Sequence, residues 1–183
     1  MFKLKYYLPK DVFKTVFDID YNKLYEAGKR IILMDIDNTL ISYAESAPTE
    51  ELLRLFYRIK QIGFEIIFIS NNHKQRVQKF AATIDAKYIN NAMKPFKRGY
   101  RHVMKLVKPL GKDKIISIGD QLITDVLGAN RFGIDAYLVR PIEVHSEKWY
   151  TSLNRKIEAY VFKKIKRYYP EIYRKIEVWD EKV

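Results

Sequence analysis

The sequence predicts a doubly wound α/β domain, a parallel sheet covered by helices on both faces. Three observations lead there. Five short apolar runs rich in Ile, Val and Phe recur between residues 30 and 139, each the length of a buried strand. The segments between them carry apolar residues at helical spacing. Strand and helix signals alternate from end to end, which is how a parallel sheet with crossover helices is written.

The elements follow in order. Residues 30–36 (RIILMDI) form the first strand. Pro48 opens a helix on which Leu52, Leu53, Phe56 and Ile59 share a face until Gly63 stops it. Residues 64–70 (FEIIFIS) are the second strand, and 74–84 a helix with Val77, Phe80 and Ala81 inward. A short third strand spans 86–89. The helix over 96–108 turns Tyr100, Val103 or Met104, and Val107 inward, and leaves Lys97, Arg101, Lys105 and Lys108 as a basic stripe. Residues 115–119 are strand four, 123–131 a helix and 134–139 strand five. The whole chain is one domain: an amphipathic N-terminal extension (1–29), the core (30–143) and a basic amphipathic C-terminal segment (144–183). In the first flank, Leu8, Val12, Phe13, Val16 and Phe17 fall on one side of a helix over 9–19. In the last, Leu153, Ile157, Tyr160, Val161, Ile165 and Tyr168 recur at helical spacing.

Composition narrows the class. The 183 residues are 48% hydrophobic and 31% charged, with 7 Gly and 6 Pro, which excludes collagen-like and disordered chains. The absence of cysteine removes disulfides, thiolate metal sites and cysteine nucleophiles together. No apolar run approaches the ~18 residues of a membrane span, and the basic N-terminus lacks the apolar stretch of a signal peptide. A soluble, cytoplasmic protein is expected. Its 34 Lys and Arg against 22 Asp and Glu leave a net charge of +12, concentrated around residues 94–114 and 150–169. That balance suits a polyanionic partner, a nucleic acid or an anionic membrane face, although a solvated basic surface reads the same way.

In an open α/β sheet, ligands bind beyond the carboxyl ends of the strands where strand order reverses. The polar residues of interest all lie at such ends. Strand one delivers Asp35-Ile36-Asp37-Asn38-Thr39, strand two Ser70-Asn71-Asn72, and strand four Gly119-Asp120-Gln121 followed by Thr124-Asp125. Lys94 precedes the helix after strand three. Asp35 and Asp37 would point to opposite faces of a continuing strand, so the chain must turn there to bring both into one cleft. Asp35, Asp37, Asp120 and Asp125 then crowd together, which needs Lys94 and a hard cation, and oxygen-only ligation favours Mg²⁺. Taken singly, each residue has an ordinary reading. Ser70 and Thr39 suit strand ends or caps, Lys94 a surface, and Asp120 and Asp125 the cap of the next helix. Asn38, Asn72 and Gln121 fit turns as well as chemistry, and His73, His102 and His145 carry no assignment.

Together and in this order, the motifs resemble the haloacid dehalogenase (HAD) superfamily of phosphatases over residues 30–140. The resemblance implies a Rossmann-like five-stranded sheet of order 3-2-1-4-5. It implies Asp35 as the nucleophile that forms an aspartyl-phosphate and Asp37 as the acid and base. It also implies Thr39, Ser70, Asn71 and Lys94 on the substrate phosphate, and Mg²⁺ held by Asp35, Asp120, Asp125 and the Asp37 carbonyl. A two-component receiver domain shares acidic residues, Ser/Thr and Lys, but its phosphoacceptor follows the third strand and has no Asp two residues on.

Only a loop lies after strand one, and residues 71–93 leave room for one helix and a short strand, so the domain is expected to be capless. The runs DIDNTL, SNN, MKP and GDQLITD, with Leu8-Pro9 and Asn154-Arg155-Lys156-Ile157-Glu158, resemble the YqeG-like branch of subclass IIIA. That branch is similar to phosphatidylglycerophosphate phosphatases, which implies an anionic phospholipid substrate met peripherally at a membrane surface. Residues 150–169 could lie in that interface with Leu153, Ile157, Val161 and Ile165 down, or pack on the core. Two other readings share these features: a soluble phosphatase acting on a nucleotide, sugar phosphate or nucleic-acid end, and a non-enzymatic RNA- or ribosome-binding module.

Overall fold

The structure, a computed structural model, describes residues 3–143 and 149–177. Six parallel strands form one sheet: β1 (Asp11–Phe13), β2 (Ile31–Met34), β3 (Glu65–Ile69), β4 (Lys87–Ile89), β5 (Ile115–Gly119) and β6 (Asp135–Val139). Their order is β1-β6-β5-β2-β3-β4. From β2 the chain winds outward through β3 to β4, then returns to β5 on the other side. The switch point therefore lies between β2 and β5.

Alternation along each strand divides the core. Ile32, Met34, Ile66 and Phe68 face helices α1 (Tyr21–Glu26), α2 (Glu50–Ile62) and α3 (Lys74–Ala82). Ile31, Leu33, Ile67 and Ile69 face α4 (Lys97–Leu106), α5 (Leu127–Phe132), α6 (Trp149–Tyr168) and α7 (Pro170–Glu177). In the first layer Phe56, Phe68 and Phe80 meet edge to face, with ring centroids 5.1–6.4 Å apart, and lock α2 and α3 onto β3.

The sheet thus has six strands rather than five, and its order runs one strand beyond 3-2-1-4-5. The extra strand comes from the segment read as a helix over 9–19. Val12 is buried against the sheet, the Lys10 amide donates to the Ala136 carbonyl at 2.8 Å, and Asp11–Phe13 pairs with β6. Thr15 and Asp18 then cap one another around the tight turn Val16–Asp18. The four-residue spacing of Leu8, Val12 and Val16 marks a strand followed by a turn, not a helical face. Two other boundaries shift. Thr49 caps α2 by accepting from the Leu52 amide, so Pro48 lies outside it. The helix expected over 123–131 is split into a wide turn, Leu122–Val126, and α5.

The C-terminal helix α6 packs on the core against α7, the turn Leu122–Val126 and the N-terminal turn Leu4–Tyr7. Val161 and Ile165 are fully buried there, so they are not available to a lipid interface; Ile157 is exposed. Leu153 and the Asn154-Arg155-Lys156 side chains lie outside the described residues, as does His145. Among the described residues no helix is long and apolar enough to cross a membrane. No cap is inserted. A loop joins β2 to α2, and between Ser70 and Lys94 the only elements are α3 and the three-residue β4.

Candidate active site

The site forms at the carboxyl ends of β2, β3 and β5. Strand β2 stops at Met34, and the chain turns through Asn38, whose φ is 67°. Asn can hold that left-handed conformation, and the fully buried Asn38 amide is fixed by two hydrogen bonds to the Glu143 main chain, at 2.8 and 2.7 Å. Asp35 and Asp37 thereby reach the same cavity, which has a volume of about 460 Å³.

Two carboxylate environments result. In the first, Asp35, Asp120 and Asp125, all buried, bring one oxygen each within 4.8 Å of the others. The Lys94 ammonium lies among them, 2.6 Å from Asp35 and 2.6 Å from Asp125. The Thr39 hydroxyl donates to Asp120 Oδ1 at 3.0 Å and faces Asp35 Oδ2 at 3.4 Å. Asp125 is held by its own turn, through the Gln121 amide and the Thr124 hydroxyl. A Cβ on Gly119 would lie 2.3 Å from Asp125 Cγ, so only glycine lets this carboxylate approach the end of β5.

One ammonium among three carboxylates leaves the cluster short of positive charge. Burial, helped by Asp125 and Asp37 and opposed by Lys94, pushes Asp35 up to about 7. Burial, with Asp125 and Asp35 nearby, also holds Asp120 well above the usual carboxylate range. Burial alone would weaken the Lys94 ammonium, but Asp125 and Asp35 hold it above its ordinary value. These shifts describe one shortage, because Lys94 gains two counter-ions while each carboxylate gains only a share of one cation. Among the described residues Asp120 Oδ2 is buried without a hydrogen-bond partner. An orphaned carboxylate oxygen in an oxygen-only set fits a hard divalent cation such as Mg²⁺.

In the second environment Asp37 stands apart. Arg76 Nε donates to its Oδ1 at 2.6 Å, and Asn72 Nδ2 and Ser70 Oγ donate to Oδ2 at 3.2 and 3.4 Å. Arg76 also donates from Nη2 to the Ser42 carbonyl at 3.2 Å, tying α3 to the loop after β2.

The structure brings together Asp35, Asp37, Thr39, Ser70, Lys94, Asp120 and Asp125. Asn71 lines the same cavity, and its carboxamide accepts from the Lys94 amide at 2.7 Å and donates to the Lys94 carbonyl at 3.0 Å, which fixes the Lys94 main chain. Arg76 was missed altogether. Asn72, read as a turn residue, orients Asp37, and His73, left without a role, caps α3 and lines the cavity with Tyr43, Gln121 and Ile123. No signal in the sequence separates Arg76 from the other basic residues of α3, Lys74 and Lys79, which are exposed.

Comparison with known proteins agrees with this geometry. A family model described as haloacid dehalogenase-like hydrolase matches residues 9–133. The chain is 34% identical over 163 residues to "Probable phosphatase YqeG" of Bacillus subtilis, covering 89% of this chain and 94% of that one. Among solved structures, an uncharacterized protein from Listeria monocytogenes superposes with a TM-score of 0.51 at 16% identity, over 66% of this chain and 86% of that one. A 3-deoxy-D-manno-octulosonate 8-phosphate phosphatase from Moraxella catarrhalis, solved with magnesium, phosphate and sugar, gives 0.43 at 18% identity, over 55% and 64%. With two thirds of its length matched by the family model and a relative aligned nearly end to end, the chain belongs to the haloacid dehalogenase-like hydrolases.

Proposed function

We propose that this haloacid dehalogenase-family phosphatase hydrolyses a phosphomonoester through an aspartyl-phosphate on Asp35, and that its substrate is phosphatidylglycerophosphate. The observation that carries the mechanism is the separation of two carboxylates within one cavity. Asp35 belongs to the cation-poor cluster with Lys94, Asp120 and Asp125, whereas Asp37 is held apart by Arg76, Asn72 and Ser70. Neighbouring carboxylates in different surroundings take different parts in a reaction.

In the first half, an Asp35 oxygen attacks phosphorus while Asp37 delivers a proton to the departing alkoxide. In the second half, Asp37 takes a proton from water as that water attacks the aspartyl-phosphate, releasing phosphate and restoring the Asp35 carboxylate. Lys94, Thr39 and Ser70 hold the phosphoryl oxygens as charge shifts onto them, and Asn71 keeps Lys94 in place. Mg²⁺, the cation that hydrolases of this family use, would be held by Asp35, Asp120 and Asp125 with the Asp37 carbonyl, and there it supplies charge that neutralises the phosphoryl group.

Three features support the lipid substrate: the capless site, the net charge of +12, and the YqeG-like motifs around Lys94 and Asp120. The test is phosphate release with Mg²⁺ from vesicles carrying phosphatidylglycerophosphate, with an aryl phosphate and an Asp35→Asn variant in parallel. Asp35-dependent turnover on vesicles, well above the soluble ester, is expected. Turnover on the soluble ester alone would keep the mechanism and sink the lipid assignment. RNA binding without turnover on either substrate would sink both.

A further inference from the structure

Met93 and Phe96 bracket Lys94 and Pro95, which line the cavity, and are 49% and 60% exposed. Local physics disfavours both where they stand. Met93 has φ 56°, and the other non-glycine residues with such a backbone are Asn38, Asp85 and Asn91, the types that tolerate it. Phe96 is the cap residue of α4. Helices α1, α2 and α3 are each capped by a side chain that accepts a hydrogen bond, whereas Phe96 makes none. The first turn of α4 carries Lys97 and Arg98 at the positive end of the helix dipole, as α3 carries Lys74 and Arg76, and neither helix contains an acidic residue. Helix α2, on the opposite layer, follows the ordinary rule with Thr49, Glu50 and Glu51. Ile142 is exposed as well, and its amide donates to the Asn38 carbonyl.

Two exposed apolar residues in unfavourable positions, with two cations beside them, all within residues 93–98, call for a contact outside the fold. We propose that Met93 and Phe96, backed by Lys97, Arg98 and Arg101, form the face on which the protein docks to an anionic lipid bilayer. An apolar pair ringed by cations matches the layering of a membrane surface, where side chains enter the acyl boundary and ammonium or guanidinium groups stay among anionic headgroups. Because both apolar residues adjoin Lys94, docking there turns the cavity toward the headgroups. The inference rests on the lipid reading above for its biological sense, but vesicle binding is measured without turnover.

The experiment compares the full chain with two double variants, Met93→Asn/Phe96→Ser and Lys97→Glu/Arg98→Glu. Each pair suits its backbone position better than the native residues, so melting temperatures are expected to hold or rise. Co-sedimentation uses phosphatidylcholine vesicles with and without phosphatidylglycerol. The parent protein is expected to bind the anionic vesicles, and each variant to bind about tenfold or more weakly, with turnover of a soluble aryl phosphate retained. Failure of the parent to bind, or undiminished binding by the variants, overturns the proposal. So does loss of soluble turnover in step with vesicle binding, which would make this turn part of the catalytic machinery. Binding of single-stranded RNA in place of vesicles, weakened by the same substitutions, would make the face a nucleic-acid surface and also overturn it. Docking that depends on Phe96 without hydrolysis of phosphatidylglycerophosphate would leave this face standing and remove the substrate.

Discussion

Replacing Lys94 by Met keeps the stem of the side chain and deletes the one ammonium among Asp35, Asp120 and Asp125. The native Lys94 side chain is 3% exposed and lies 2.6 Å from both Asp35 and Asp125, so its loss strands buried negative charge. Breaking a buried ion pair from one side costs about 3–5 kcal/mol. In a chain of this size each kcal/mol lowers the melting temperature by about 2–4 °C, so the metal-free variant should melt roughly 6–20 °C below the parent. Mg²⁺ acts on the same shortage of cations, so most of that loss should return when it is added. Thermal melts at pH 8 in EDTA and in Mg²⁺, for parent and variant, make the comparison, with kcat on an aryl phosphate expected to fall about 10²-fold or more. An equal loss in both buffers would mean that Lys94 acts through packing alone and would refute the charge argument.

Other outcomes follow from neighbouring contacts. Arg76→Met should leave the fold intact and lower kcat about tenfold or more by freeing Asp37, and Arg76→Lys should not restore it, since one ammonium cannot span Asp37 and the Ser42 carbonyl as a guanidinium does; an unchanged kcat would remove Arg76 from the site. Gly119→Ala sets a Cβ 2.3 Å from Asp125 Cγ and should weaken Mg²⁺ binding measured calorimetrically, and native affinity would contradict the close approach. In EDTA, stability should fall as pH rises from about 4 toward 7, because folded Asp35 keeps its proton up to about 7 while the unfolded chain releases it near 3.8. Melts that rise across that window would reverse the sign. Asp135 works oppositely: burial raises it, but Lys10 and Lys29 more than offset that and hold it below its ordinary value. Its modest stabilisation is present above the ordinary carboxylate range and lost on acidification, and Asp135→Asn should erase that acid-side loss.

The site was legible because the fold makes strand ends converge. Asp35, Asp37, Ser70, Asp120 and Asp125 each follow an apolar run, so recognising the strands was enough to gather them. Arg76 was not legible, since nothing in the sequence says that the first turn of α3 lies beside Asp37 and not over solvent. The hold of Asn71 on Lys94 was hidden for a related reason. Its place after Ser70 is right, but the orientation of its amide depends on Lys94, which the β4 crossover brings back to it. At the N-terminus, Val12 is the single buried residue in a three-residue strand, too little for a period of two to show, and its partner strand lies at the far end of the core.

That pairing has a consequence for how the chain is made. Synthesis delivers residues 11–13 before the other five strands of the sheet, yet their hydrogen-bonding partners in β6, Tyr137 to Val139, come last of the six, and Asp11 meets Lys175 later still, at 2.6 Å. A nascent chain can assemble β2, β3, β4 and β5 around the catalytic residues while its own beginning still waits. Of the six strands, the first to be made is the one that cannot pair until the last has emerged, and until then its backbone groups stay open to other chains.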